Sequence, residues 1–128
     1  MRLLLDTHAL IWFAEDDASL SKRARESLED SANSLHYSLA SIWEMAIKVS
    51  LGKLKMSVKL SGGFDHHLEQ NGLNPLPIEY AHAARVAALP MHHRDPFDRL
   101  LVAQADLEHM GLVSHDEHLD AYGVKRIW

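Results

Sequence analysis

Short apolar runs that alternate with helix-like segments along the whole chain most limit how this sequence can fold. Strands are predicted at residues 2–5, 35–38, 111–114 and 124–127. Helices are predicted at residues 8–15, 21–30, 41–51, 61–71, 79–89, 95–109 and 117–121, with an extended proline-containing segment at 74–78. This alternation favours a parallel sheet with helices on both faces. A length of 128 residues without repeats or linkers predicts one domain over residues 1–128.

The segment 41–51 carries the clearest helical pattern, and Gly52 is expected to end it. Apolar residues recur along it at helical spacing, which predicts a stripe facing the core. The predicted stripe consists of Ile42, Met45, Ala46 and Val49.

Composition excludes several classes of protein. The chain contains no cysteine, so disulfides, thiol catalysis and cysteine-bound zinc are excluded, and a reducing cytoplasm is the expected location. No apolar stretch approaches the roughly 20 residues that a membrane helix needs. Asp6 and His8 follow the first apolar run at once, which is not typical of a signal peptide.

The net charge of −5 argues against a nucleic-acid partner, because phosphate contacts need Lys and Arg. The charge is uneven, however, since residues 44–59 contain four lysines and one acid. Lys48, Lys53 and Lys55 are therefore candidates for contacts to nucleic-acid phosphates. A plain solvated face explains the same lysines equally well.

Four carboxylates stand where the predicted strands end or the predicted helices begin. Asp6 directly follows the first strand, and Asp116 follows the strand that ends at residue 114. Glu44 and Asp98 lie in the first turns of predicted helices. In an open α/β sheet, ligands bind in the crevice beyond the carboxyl ends of the strands. All four acids map to that edge.

Each acid also has a purely structural interpretation. Ser41 and Glu44 have the spacing of a capping box. Glu44 lies four residues before Lys48, the favourable order for a surface ion pair. Asp95 is a good helix N-cap, and Asp6 or Asp116 could cap the helix that follows it.

Taken together, the four acids favour a metal site. Four anions in one crevice repel one another strongly unless a cation lies among them, and no Lys or Arg obviously belongs to the group. A hard divalent cation such as Mg²⁺, which binds carboxylates and water, would resolve the conflict. Such an ion could activate water and offset the charge of a phosphodiester during in-line displacement.

Segments spread over most of the chain resemble the PIN domain family, nearest to the VapC-like toxins of bacterial toxin–antitoxin pairs. The matching segments are LLLDTHAL at 3–10, SIWEMAIK at 41–48 with GKL at 52–54, HRDPFDRLLVAQA at 93–105 and LVSHD at 112–116. The resemblance implies a Rossmann-like three-layer α/β/α fold and a Mg²⁺- or Mn²⁺-dependent ribonuclease. It further implies an RNA substrate, a small antitoxin that covers the crevice, and a homodimer.

The resemblance also implies roles for particular residues. The metal-site and catalytic acids would be Asp6, Glu44, Asp98 and Asp116. Hydroxyl groups supporting these acids would come from Thr7 and Ser41, with Asp95 as a cap or an outer acid.

Two other functions remain open at this stage. A phosphotransfer or phosphatase domain could use Asp6 as nucleophile, although His8 stands where such phosphatases need a second acid. A non-catalytic binding module would use every acid as a helix cap.

Histidines and aromatic residues have both functional and structural interpretations. The ten histidines include no HExxH motif, so we expect nearly all of them at the surface or in the core. Four aromatic residues could stack on bases, but helical spacing favours packing for most of them. These residues are Trp12, Phe13, Tyr37 and Trp43.

Overall fold

The first strand lies at the centre of the sheet, and its residues Leu3, Leu4 and Leu5 are fully buried. The computed structural model describes all residues 1–128. Its strands are β1 (Arg2–Leu5), β2 (Ser34–Ser38), β3 (Leu73–Leu76), β4 (Gly111–Val113) and β5 (Arg126–Ile127). They form one sheet in the order β3-β2-β1-β4-β5, and every neighbouring pair is parallel. The predicted parallel sheet is confirmed.

Helices fill the connections between the strands. They are α1 (Thr7–Ala14), α2 (Lys22–Glu29), α3 (Leu39–Ser50), α4 (Asp65–Gln70), α5 (Tyr80–Arg85) and α6 (Pro96–Leu107). A π-helical turn at Leu60–Phe64 precedes α4, and 3₁₀ turns occupy Val86–Ala88 and Glu117–Tyr122. No helix combines the length and the apolar character needed to cross a bilayer.

Alternate side chains of β1 point to opposite faces of the sheet, as the pleat requires. Leu3 and Leu5 pack with Leu10 of α1 and Leu28 of α2. Leu4 packs on the other face, in a cluster with Leu101 of α6. The sheet is therefore covered on both faces, which gives the three-layer α/β/α fold that the sequence predicts.

Helix α3 begins two residues earlier than its sequence pattern indicates. Its N-cap is Ser38, whose hydroxyl accepts a hydrogen bond from the Ala40 amide at 3.0 Å. Ser41 consequently lies inside the helix, and its predicted capping box with Glu44 is wrong.

The buried face of α3 also differs from the predicted apolar stripe. Met45 is buried as expected, but Ala46 and Val49 are exposed. The helix buries the polar residues Ser41 and Glu44 instead. A periodicity pattern assigns apolar residues to the core, so it misplaces a helix that turns polar side chains inward.

The order of the strands reverses between β1 and β4. The chain moves outward from β1 to β2 and β3 on one side, and from β4 to β5 on the other. Such a switch point opens a crevice at the carboxyl ends of the two central strands. Since β1 ends at Leu5 and β4 at Val113, the residues that follow them emerge at this crevice.

Candidate metal centre

Three of the four predicted acids reach the crevice through the local structure around them. Asp6 follows β1 and caps α1, and its Oδ1 accepts from the Ala9 amide at 2.8 Å. Asp98 lies in the first turn of α6. Asp116 follows β4 and caps the last 3₁₀ turn. Capping and convergence are thus compatible, because the same chain ends place these residues at one edge of the sheet.

The three acids line one open cleft of about 610 Å³. The cleft contains four carboxylate residues, four histidines and one tryptophan. Its lining residues are Asp6, His8, Trp12, His93, Asp98, His115, Asp116, Glu117 and His118. No lysine or arginine is among them, so the cleft offers no permanent positive charge.

Glu44 lies behind the cleft lining, buried beside α1. The Thr7 hydroxyl donates to Glu44 Oε1 at 2.6 Å and lies 3.0 Å from Ser41 Oγ. Thr7 and Ser41 are both buried. These contacts tie α1 to α3, and the Thr7 hydroxyl fixes the Glu44 carboxylate.

A lysine shares the Glu44 carboxylate, although the sequence-based reasoning placed no Lys or Arg in the acidic group. Lys48 Nζ lies 2.9 Å from Glu44 Oε2, one helical turn along α3. The predicted four-residue ion pair is thus present. It compensates Glu44 but leaves the acids that line the cleft without a cation.

His93 is a site residue that the sequence-based reasoning missed. Its Nε2 lies 2.8 Å from Asp116 Oδ2 and 3.5 Å from Asp98 Oδ2. Its Nδ1 accepts a hydrogen bond from the Asp95 amide at 3.0 Å. A nitrogen that accepts from a backbone amide carries no proton, so Nε2 carries it and donates to the Asp116 carboxylate. Only the motif HRDPFD, which places His93 five residues before Asp98, hinted at this role.

The loop that carries His93 is fixed by a buried arginine and a tyrosine. Arg99 donates to the Pro90 and Val86 carbonyls and to Tyr122 Oη, at 2.9, 3.2 and 3.1 Å respectively. Tyr122 Oη in turn accepts from the His93 amide at 2.9 Å. These bonds position the imidazole. The sequence carried no signal for them, because they join side chains to distant backbone.

The electrostatics of the cleft are set by burial and by crowding of negative charge. Burial, together with the neighbouring Asp95, Asp6 and Glu44 carboxylates, raises the pKa of Asp98 to about 7. Burial also raises the pKa of Asp6, although hydrogen bonds from Ser114 and Ala9 partly offset it. Burial is therefore the main cause of both raised pKa values, and neighbouring carboxylates add to it most clearly at Asp98.

Asp116 behaves in the opposite way. Partial burial alone would raise its pKa, but hydrogen bonds from the side chain and amide of His118 and from His93 lower it below the usual range. Asp116 is thus held ionised at the mouth of the cleft.

The donor set fits a hard divalent cation. An imidazole nitrogen of His93 and carboxylate oxygens of Asp98 and Asp116 all lie within 4.8 Å of one another. The protonated Nε2 of His93 cannot bind a metal while the Asp95 amide occupies Nδ1, so the available donors are carboxylate oxygens. Mg²⁺ and Mn²⁺ favour such oxygen donors together with water.

The remaining predicted residues lie outside the cleft lining. Asp95 caps α6, accepting from the Phe97 amide at 2.8 Å, which agrees with its predicted capping role. Lys48, Lys53 and Lys55 do not line the cleft. Their contact with phosphates stays a prediction.

An open parallel sheet with acids clustered at its switch point defines a class of α/β proteins that bind their ligands at this edge. The PIN domain family matches residues 3–125, and the chain belongs to this family. The family resemblance found in the sequence is thereby confirmed. No curated protein matches the chain.

Three solved bacterial structures share the fold. The chain is similar to VapBC2 from Rickettsia felis bound to a promoter DNA fragment, with 18% identity, a TM-score of 0.70 and coverage of 95% of this chain and 93% of that one. The chain is 17% identical to FitAcB from Neisseria gonorrhoeae, with a TM-score of 0.59 and coverage of 97% of this chain and 95% of that one. It is 21% identical to a chain of a toxin–antitoxin complex from Klebsiella pneumoniae, with a TM-score of 0.56 and coverage of 89% of this chain and 86% of that one.

Proposed function

We propose that residues 1–128 form a Mg²⁺- or Mn²⁺-dependent endoribonuclease domain, the toxin of a toxin–antitoxin pair. The observation that carries the proposal is the convergence of Asp6, Asp98 and Asp116 on one cleft that contains no lysine or arginine. The raised pKa of Asp98, caused by burial and neighbouring acids, supports the need for a cation there. Membership of the PIN domain family supports nuclease chemistry.

Within this proposal, Asp6, Asp98 and Asp116 would hold the metal, and Glu44 lies behind them, paired with Lys48. A bound divalent ion supplies Lewis acidity, which ionises water and offsets charge on a phosphodiester. Thr7 keeps the Glu44 carboxylate in place through its hydrogen bond, and Ser41 contacts the Thr7 hydroxyl. His93 orients the Asp116 carboxylate by donating from Nε2.

The direct test is cleavage of single-stranded RNA with Mg²⁺ and with EDTA. The wild type should cut only with the metal, and Asp6→Asn and Asp98→Asn should lose most of the activity. Asp65→Asn is the matched control, since Asp65 is an exposed acid in the first turn of α4 and does not line the cleft. Equal cleavage by all four proteins, or full activity in EDTA, would contradict the proposal.

Two alternatives have less support. Asp6 is only 5% exposed and its Oδ1 already accepts from the Ala9 amide, which is unfavourable for a phosphoryl-accepting nucleophile. A non-catalytic module with capping acids does not explain why Asp98, which does not cap its helix, lies in the same cleft as Asp6 and Asp116. It predicts no thermal stabilisation by Mg²⁺ or Mn²⁺, whereas a genuine site gives a shift that follows mass action.

An antitoxin is the proposed protein partner. The similar structures from Rickettsia felis and Klebsiella pneumoniae are described as a VapBC assembly and a toxin–antitoxin complex. An acidic cleft without resident cations would attract a basic side chain of such a partner. Co-purification with the small product of a neighbouring gene, and loss of RNA cleavage in that complex, would support this assignment.

A homodimer is also proposed, through an apolar surface on α3 and α6. Trp43 is 62% exposed and packs on Phe97 with ring centroids 5.3 Å apart. Exposed apolar side chains recur every four residues along α3 and its end, at Leu39, Trp43, Ile47 and Leu51. A continuous apolar stripe of this kind is typical of a protein interface. Light scattering should give a dimer mass for the wild type and a monomer mass for Trp43→Glu.

A further inference from the structure

Beside its carboxylates, the cleft is lined by aromatic and imidazole rings that the metal chemistry does not use. His8, Trp12 and His115 line this part, and Trp128 packs against it. We call these four residues the aromatic cluster. His8 and His115 are exposed, while Trp12 and Trp128 are half-buried. The cluster borders the acids directly, because His8 lies two residues after Asp6 and His115 precedes Asp116.

The rings of the aromatic cluster contact one another without stacking in parallel. The ring centroids of His8 and Trp12 are 5.5 Å apart at 33°, and those of Trp12 and Trp128 are 5.7 Å apart at 53°. His115 approaches Trp12 and Trp128 nearly edge-on, at 80° and 78°. Tilted and edge contacts hold the rings in place. No pair of these rings is stacked in parallel, and His8, Trp12 and His115 all line the cleft.

The charge of the cleft limits how it can bind a polyanion. Affinity for nucleic acid normally comes from Lys and Arg that neutralise phosphates, and neither residue type lines the cleft. A metal between the acids could neutralise one phosphate but not its neighbours. Further affinity must therefore come from uncharged parts of the strand, and bases that stack on aromatic side chains provide it in single-stranded RNA.

We propose that the aromatic cluster is a stacking site for a base of single-stranded RNA next to the phosphate held at the acids. This inference rests on the proposed ribonuclease function, and it identifies Trp12 and His115 as residues that bind substrate. Helical spacing favoured packing for Trp12, and Trp12 does pack partly against the core. Its presence in the cleft lining gives it a second, exposed side.

The test measures RNA binding in an Asp98→Asn background, which prevents cleavage. Because this variant also loses a proposed metal ligand, the readout is the difference in affinity between base-bearing and abasic strands. A short labelled single-stranded RNA is compared with an abasic strand of the same length by fluorescence anisotropy in Mg²⁺. Trp12→Leu should weaken binding of the base-bearing strand by about 10-fold, as loss of one stacked base does. It should leave binding of the abasic strand unchanged, and Trp12→Phe should restore most of the affinity.

His115→Ala keeps the test valid if Trp12→Leu fails to fold, because His115 is exposed, and it should show the same loss. The control is Tyr80→Ser, which removes an aromatic ring that is 90% exposed and does not line the cleft. Unchanged RNA affinity in both cluster variants, or equal losses for base-bearing and abasic strands, would overturn the proposal. Loss of antitoxin binding alone, with RNA binding intact, would also overturn it and make the cluster a protein contact.

Failure of this inference is distinguishable from failure of the proposed function. Wild-type cleavage that depends on Mg²⁺, combined with binding that ignores Trp12 and His115, would overturn only the stacking site. Base-dependent binding without any cleavage would overturn only the ribonuclease proposal.

Discussion

Replacing Asp98 with Asn should stabilise the metal-free protein at neutral and alkaline pH. Burial and the neighbouring acids raise the pKa of Asp98 from its ordinary value of 3.8 to about 7. The folded state therefore binds the carboxyl proton of Asp98 more tightly than the unfolded chain does. Protonated Asp98 stabilises the fold fully below pH 3.8, and this stabilisation is lost as the pH rises through about 7. Above that pH the fold holds a charge that the unfolded chain accommodates more easily.

The size of the effect follows from the shift in pKa. Each pKa unit corresponds to about 1.4 kcal/mol, so full ionisation of Asp98 costs the metal-free fold at most about 4 kcal/mol. The Asp98 side chain is 21% exposed, and screening by solvent reduces the figure to about 2 kcal/mol. Asp98→Asn removes this cost, so the free energy of unfolding of the variant should exceed that of the wild type most at pH 8 and less at pH 5.5.

Urea denaturation in EDTA at these two pH values measures the effect. The control is Asp65→Asn, which changes an exposed acid in the first turn of α4 and should alter stability by less than about 0.5 kcal/mol at both pH values. Adding Mg²⁺ should make the wild type more stable than Asp98→Asn, because only the wild type keeps all the proposed metal ligands. A free Mg²⁺ concentration of 100 times Kd stabilises a fold that binds the ion by about 2.7 kcal/mol. An Asp98→Asn protein that is less stable than wild type in EDTA at pH 8, or that gains equally from Mg²⁺, would refute the reasoning.

Three further predictions concern the residues around the acids. Thr7→Val leaves the buried Glu44 carboxylate without its hydroxyl donor and should lower the free energy of unfolding by about 1–3 kcal/mol in urea denaturation. Thr7→Ser keeps a hydroxyl and should keep most of the wild-type stability. Equal stability of the wild type and both variants would contradict this hydrogen bond. Arg99→Met removes the donor of several backbone carbonyls and should lower the free energy of unfolding by about 3 kcal/mol in the same measurement. The control is Arg94→Met, since Arg94 is exposed. Equal losses of stability in both variants would argue against the role of Arg99 in positioning the loop. His118→Ala removes a hydrogen bond that lowers the pKa of Asp116. Ionised Asp116 stabilises the fold above pH 3.8, and this stabilisation is lost as the pH falls through the lowered pKa, so in the variant it should be lost at a higher pH. A carboxyl-detected NMR titration should show the higher pKa of Asp116, and an unchanged titration curve would disprove the contact.

The sequence predicted the positions of three acids because local rules fix them. Asp6, Asp98 and Asp116 each stand where a strand ends or a helix starts, and those boundaries follow from periodicity and capping preferences. Parallel strands then bring their carboxyl ends to one edge. Convergence of these acids was therefore predictable without any knowledge of tertiary contacts.

The interior of the site was less predictable. The start of α3 shifted from Ser41 to Leu39 because Ser38, the last residue of β2, caps the helix. The polar residues that α3 buries are satisfied only by contacts with α1 and with Lys48. Patterns in one segment cannot show a buried face whose partners lie on another helix.

His93 shows a second limit of sequence reasoning. Its tautomer and orientation depend on the Asp95 amide, on Tyr122 and on Asp116, which come from different parts of the chain. A histidine in a loop is usually at the surface or in the core, so residue type alone gave no reason to assign it to the site.

A crystal of the full chain soaked in Mn²⁺ tests the central claim most directly, through anomalous scattering at the manganese edge. The account predicts a peak in the cleft within about 2.0–2.6 Å of carboxylate oxygens from at least two of Asp6, Asp98 and Asp116. No peak among these acids at saturating Mn²⁺, or a peak held only by the exposed imidazoles of His115 and His118, would contradict it.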